Sequence, residues 1–341
     1  MGVFADRVNL ISKLNFRKSI NVFRLVSSYY LSRIFKKARH RGMPLAVSVE
    51  PTTACNLRCP ECPSGLRKFS RNTGNLKSDS FDRLVTQLEK ELIYLTFYFQ
   101  GEPFINPDFL GMVKTASSRG IYTSTSTNAH FLNEETAIKT IQSGLDRLII
   151  SIDGTTQEIY EMYRKEGNLQ KAIEGTRQVV AQKKRLNSQT PHIIIQFLVV
   201  SHNEHQINDV FDLANELGVD EVRLKTAQVY DYEKGNDLFP KNEKYSRYKR
   251  NKDGTYSIKN QLLNQCWRMW SSCVFTWDGL VVPCCFDKDA THQFGNATEQ
   301  EFKKIWTSKA YNGFRNAILR SRSEIEICKN CTEGTRVWTE E

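Results

Sequence analysis

Three cysteines, Cys55, Cys59 and Cys62, stand close together in the run CNLRCPECP with C-x3-C-x2-C spacing. Thiolates at this density are soft metal ligands. A closed structural metal site takes four ligands. Three thiolates can instead hold three irons of a 4Fe-4S cluster and leave the fourth iron open to an external ligand. A zinc knuckle completed by a ligand elsewhere in the chain is the alternative. A second set, Cys266, Cys284, Cys328 and Cys331, lies near the C-terminal end. Twelve residues separate Cys266 from Gly279, four separate Gly279 from Cys284, and Cys328 and Cys331 form C-x2-C. Nine cysteines in a chain without a secretory pattern point to a reducing cytosol, where clustered thiols are metal ligands more often than disulfides. Adjacent residues on a strand face opposite sides, so of Cys284 and Cys285 only one is expected to serve a metal. Cys285 and Cys273 read as small buried hydrophobes, with Cys273 the substitute ligand.

The elements that must position these thiols begin near Leu45. LAVSVEP, IYLTFYF, IYTSTST, RLIISID, HIIIQFLVV and EVRLKTA are β-branched or aromatic runs of strand length,. Helical patterns such as SDSFDRLVTQLEKEL and NEHQINDVFDLANELG separate them. Ser80 and Asn203 read as helix starts and Gly218 as a helix end. Strands alternating with helices imply an α/β fold with parallel pairing and right-handed crossovers. A doubly wound sheet and a partial barrel both satisfy the pattern. Both put active sites at the carboxyl ends of the strands, where the loop with Cys55, Cys59 and Cys62 falls. Four segments are expected: a basic stretch over 1–44, the α/β core over 45–230, a polar linker over 231–262, and a cysteine-rich domain over 263–341.

CNLRCPECP resembles the cluster motif of the radical S-adenosylmethionine (SAM) superfamily, and three further motifs follow in matching order over roughly residues 45–230. FQGEPFINPDF resembles the GEP motif, with Gly101, Glu102 and Pro103. STSTNAHFL resembles the third-strand motif, with Thr127 and Asn128. SIDG and the YEMYRKEG that follows resemble the fourth-strand segment. The resemblance implies a partial (β/α)6 barrel. It implies that Cys55, Cys59 and Cys62 hold a 4Fe-4S cluster whose open iron takes SAM. It also implies a reductive cleavage that yields a 5′-deoxyadenosyl radical able to remove hydrogen from an unreactive C–H bond. By the same resemblance Gly101, Glu102 and Pro103 meet the methionine amine, Ser151 and Arg164 the carboxylate and nearby groups, and Asp153 the ribose. An ordinary solvated helix residue is the alternative for Arg164. One departure concerns adenine: Glu61 occupies the position before the third cysteine where many members carry an aromatic residue.

The tail, from CWRMWSSCVFTWDGLVVPCC to CKNC, resembles the SPASM/Twitch auxiliary-cluster domain. VFTW-DG-LVVP reads as a hairpin by its Asp-Gly turn. The resemblance implies one auxiliary 4Fe-4S cluster on Cys266, Cys284, Cys328 and Cys331, a Twitch-type arrangement similar in architecture to 2-deoxy-scyllo-inosamine dehydrogenases. A zinc site on the same four thiolates is the alternative. The implied activity is dehydrogenase-like oxidation of a small sugar-like, cyclitol-like or lipid-linked substrate, with a flavodoxin- or ferredoxin-type electron donor. The competing activities are oxidative maturation of a ribosomal peptide and, from another class, non-catalytic metal binding or electron transfer. An open iron serves no purpose in a pure electron carrier.

The charge is unevenly distributed. Residues 1–43 carry ten Lys/Arg against one acid, Asp6, and so account for nearly all of the formal net charge of +10. On a helical wheel Ile20, Phe23, Val26, Tyr30 and Ile34 share one face, while Arg17, Asn21, Arg24, Ser28, Ser32, Lys36 and Arg39 share another. Such a segment either packs its apolar face on the barrel or lies on an anionic membrane surface. With no nucleic-acid-binding fold and the charge confined to one segment, specific nucleic-acid binding is not expected. No apolar run reaches spanning length, so the expected location is cytoplasmic, with peripheral membrane contact as the second reading.

Overall fold

The computed structural model describes residues 2–331 and the backbone of 338–339, so the remaining end of the expected 263–341 segment lies outside the described residues. Six strands carry the core: β1 (Ala46–Val49), β2 (Tyr94–Thr96), β3 (Tyr122–Thr127), β4 (Arg147–Ser151), β5 (His192–Val199) and β6 (Glu221–Thr226). They pair in chain order and all in parallel, the partial-barrel arrangement. Helices cover one face, among them Phe109–Ser118, Glu134–Gln142, Leu169–Arg185 and Ile207–Leu217. Their apolar rows close on Val47, Leu95, Phe97, Leu148, Ile150, Ile195 and Phe197, all essentially excluded from water. Runs such as HIIIQFLVV are nearly continuous in apolar residues because helices cover one face and the barrel interior encloses most of the other, Gln196 and Leu198 being half-buried,.

Gly218 ends Ile207–Leu217 in the left-handed region, φ 72°. Ser80 caps nothing: the chain enters that helix at Lys77, so Ser80 lies inside Ser78–Thr86. Asn203 opens a single 3-10 turn, Glu204–Gln206, ahead of the helix.

Two features depart from a barrel with a separate tail. The polar stretch 231–262 folds a hairpin, β7 (Tyr248–Arg250) with β8 (Tyr256–Ile258). Buried Tyr248 stacks on Tyr232 and Phe239, with ring centroids 4.8 and 4.9 Å apart. The tail strand β9 (Ser272–Phe275) pairs in parallel with β1, Ala46 opposite Ser272. It turns through Asp278 and Gly279 into antiparallel β10 (Val281–Val282), the hairpin its Asp-Gly signal predicts. The backbone of β11 (Trp338–Thr339) closes the far edge against β6. Cys273 sits in β9, buried within the core.

Helices α1 (Val3–Ser12) and α2 (Phe16–Ile34) close the opposite end, at the amino ends of the strands. The Asp6 carboxylate accepts from the Tyr122 hydroxyl and pairs with Arg147, at the starts of β3 and β4. Asn9 donates to Asp146 at 2.8 Å. The Lys18 ammonium donates to the Gly120 carbonyl at 2.8 Å, and Asn21 exchanges two hydrogen bonds with the Met43 backbone.

Candidate active site

A cavity of about 310 Å³ opens at the carboxyl ends of the strands. Each strand delivers its share through the loop that follows it. The loop after β1 brings Cys55, Cys59, Glu61 and Cys62, and the stretch after β2 brings Tyr98 to Glu102. The end of β3 supplies Thr127 and Asn128, β4 supplies Ser151, and the helix Gln157–Tyr163 ends at Arg164 on the same wall.

The GEP loop and the cysteine loop are stitched together by backbone. Gly101 N–H donates to Ser64 Oγ at 2.8 Å, and Glu102 N–H donates to the Ala54 carbonyl at 2.8 Å. Gly101 adopts φ +74°, and a Cβ there would lie 2.2 Å from the Thr52 carbonyl oxygen. Only glycine lets the two loops approach this closely. Pro103 is buried behind the wall as the first residue of the 3-10 turn Pro103–Ile105, capped by Glu102. The Glu102 carboxylate accepts from Thr127 Oγ1 at 2.7 Å and from the Asn128 amide at 2.8 Å. Burial pushes its pKa up to about 7, against these hydrogen bonds,. Asn128 reaches back to Asn56 Oδ1 at 2.7 Å, tying the third-strand motif to the cysteine loop.

Arg164 and Asp153 take different places from each other. Arg164 lines the cavity, with Nη1 3.8 Å from Cys59 Sγ. Asp153 is fully buried: one oxygen accepts from Arg164 Nε at 2.5 Å and the other from the Leu198 amide at 2.7 Å. It stands behind Arg164 and is not among the residues that line the cavity. Glu61 does line the cavity, fixed by the Tyr230 N–H at 3.0 Å. The aromatic faces available there come from Tyr98, Phe99 and Tyr163 instead.

Four lining groups carry no local sequence signal. Lys225 comes from β6, Arg247 from the turn before β7, and Cys285 and Lys288 from the turns after β10. Burial, then the neighbouring Arg247, lowers Lys225 to about 8. Cys285, expected to be a buried hydrophobe, belongs to this polar wall, because the strand has already ended and the turn swings it inward.

The donor sets fit iron–sulfur clusters. Burial pushes the Cys55 thiol up to about 12 and raises Cys59 as well. Thiols so reluctant to ionise in a buried site lose their protons to a coordinated metal. Cys266, Cys284, Cys328 and Cys331 line a second, small apolar cavity, where the Arg322 guanidinium lies 3.0 Å from Cys331 Sγ. Four thiols line one water-poor pocket, the number of donors that a fully protein-ligated cluster takes,.

The radical SAM superfamily pattern matches residues 49–222, more than half of the chain. This chain belongs to the radical SAM superfamily. The SPASM iron-sulfur cluster-binding domain matches residues 266–332. The cofactors of this radical SAM enzyme are therefore SAM and a 4Fe-4S cluster, with auxiliary iron–sulfur binding in its SPASM domain. The tungsten-containing aldehyde ferredoxin oxidoreductase cofactor-modifying protein of Pyrococcus furiosus is 28% identical over 317 residues, spanning 83% of this chain and 86% of that one. Solved structures share the fold. SuiB of Streptococcus suis bound to S-adenosylmethionine superposes with a TM-score of 0.63 at 14% identity, over 91% of this chain and 76% of SuiB. BtrN in complex with AdoMet and 2-DOIA gives 0.53 at 18% identity, over 86% of this chain and 94% of BtrN.

Proposed function

We propose that this enzyme oxidises a small polar substrate at an unactivated C–H bond, using one auxiliary 4Fe-4S cluster. The observation that carries the reading is a single cavity lined by Cys55, Cys59, Cys62 and the motif residues together with Lys225, Arg247 and Lys288. In this reading Cys55, Cys59 and Cys62 hold the SAM-binding cluster, and Cys266, Cys284, Cys328 and Cys331 hold the auxiliary one. When bound, these groups supply reductive SAM cleavage, hydrogen-atom abstraction and an outlet for the second electron.

The chain's own residues bind and orient. Arg164, braced by Asp153, offers a guanidinium suited to the SAM carboxylate. Glu102, Thr127 and Asn128 fix the loop that meets the methionine end. Ser151 adds a hydroxyl at the end of β4. The three cations suit a substrate with a phosphoryl or carboxylate group, or one dense in hydroxyls. Within this reading a sugar-like or cyclitol-like molecule is favoured over a peptide. BtrN, whose complex holds 2-DOIA, supports that choice; SuiB, crystallised with its precursor peptide SuiA, supports the peptide alternative.

The test is anaerobic reconstitution and chemical reduction with SAM. The wild type forms methionine and 5′-deoxyadenosine, and the Cys55→Ala/Cys59→Ala/Cys62→Ala variant forms neither while keeping the auxiliary cluster's absorbance. Reductive cleavage by that variant overturns the assignment. Candidate substrates deuterated at a carbinol carbon then report oxidation by deuterium transfer into 5′-deoxyadenosine.

A further inference from the structure

Helices α1 and α2 are amphipathic with the polar side inward. The residues of α2 buried against the protein are Lys18, Asn21, Leu25, Ser28, Tyr29 and Ser32, mostly polar and hydrogen-bonded. The apolar row points away: Phe16 is 83% exposed, Phe23 72% and Ile34 71%. On α1, Asp6 is buried while Phe4 is 80% and Ile11 63% exposed. The expectation that the apolar face packs on the barrel is therefore overturned. Asn21, Ser28 and Ser32 do not share the solvated face with the basic residues; they form the docking face.

Around this apolar row stand Arg7, Arg24, Arg33, Lys36, Lys37, Arg39 and Arg41, all exposed, with Arg17 paired to Glu91 at 2.6 Å, and the segment's only acid is buried. Large apolar side chains flanked by cations, with no exposed acid in the segment itself, match the boundary of an anionic bilayer: the rings enter the acyl region and the cations meet headgroup phosphates. A second copy of the chain fits poorly, since a two-fold contact through this face would set the basic flanks against each other. A polynucleotide leaves the exposed rings of Phe4, Phe16 and Phe23 without a role. Among the described residues no helix is long and apolar enough to cross a membrane.

We infer that α1 and α2 form a preformed docking surface for an anionic membrane, held rigid by the polar contacts beneath it. Cosedimentation of the reconstituted holoprotein tests this, with vesicles of phosphatidylcholine alone and of phosphatidylcholine mixed equally with phosphatidylglycerol. Binding to the mixed vesicles, at least tenfold weaker on the neutral ones and weakened by salt, is the expected result. The Phe16→Ser/Phe23→Ser variant alters only exposed side chains; it should keep its iron and SAM binding and lose at least tenfold in vesicle affinity. A wild type that stays in the supernatant, or a double variant that binds as well as wild type, overturns the inference. So does a concentration-dependent dimer abolished by the same double variant, which would assign the face to a second copy.

Discussion

Cys284 and Cys285 are neighbours in the chain and line different cavities: Cys284 the apolar pocket of the tail cysteines, Cys285 the polar cavity that Cys55, Cys59 and Cys62 also line. One peptide unit thus joins the two cavities. Two 4Fe-4S clusters correspond to about eight irons per chain. Cys284→Ala is expected to lower reconstituted iron to about four, and Cys285→Ala to leave it near eight. Iron and sulfide assays decide; four irons with one zinc in the wild type would put zinc in the tail.

Asp153 is expected to act through Arg164. Losing a charge-assisted hydrogen bond costs about 1.5–3 kcal/mol, so Arg164→Ala should weaken SAM binding roughly 10- to 100-fold with normal iron content. Asp153→Asn leaves the guanidinium without its buried carboxylate, a loss of roughly 3–5 kcal/mol in stability. It should weaken SAM binding as well. Calorimetric SAM titration and thermal melting separate the two effects. Unchanged SAM affinity in both variants would make the pair purely structural.

Lys225 sets a pH dependence. In the folded protein its amine titrates near 8, against an ordinary value of 10.5. Between these values the unfolded chain holds the extra proton, so this group's contribution makes stability rise with pH over that window. Lys225→Met removes the effect. The melting temperature of wild type minus variant is therefore expected to increase from pH 8 to pH 10, by roughly 2–5 °C after discounting for solvent at the cavity wall. A constant difference would mean that the amine keeps its ordinary pKa.

The strands and the cysteine loop were legible because local pattern determines them. HIIIQFLVV has no other use than a covered strand, and C-x3-C-x2-C needs no tertiary context. Lys225, Arg247, Cys285 and Lys288 were not legible, since they meet only through the pairing of β9 with β1 and the packing of the β7–β8 hairpin. Each looks ordinary in its own segment. The polarity of α2 misled for a related reason. A helical wheel reports which residues share a face and is silent on which face meets the protein, and here the Gly120 carbonyl and the Met43 backbone offered polar partners at the barrel base.

The placement of α1 and α2 also bears on how a substrate arrives. They cover the end of the barrel where the strands begin, and the cavity opens where the strands finish. The longest strand, β5, has eight residues, so these ends lie at most about 26 Å apart. A protein resting on a bilayer through its base would hold its mouth toward the aqueous phase, nearly a bilayer's hydrocarbon thickness away from the lipid. A lipid-linked molecule could enter only on a stalk long enough to climb the side of the barrel, whereas a freely diffusing one meets the opening directly. The inside-out helices thus turn attachment into a choice of supply route, and they favour the water-borne reactant.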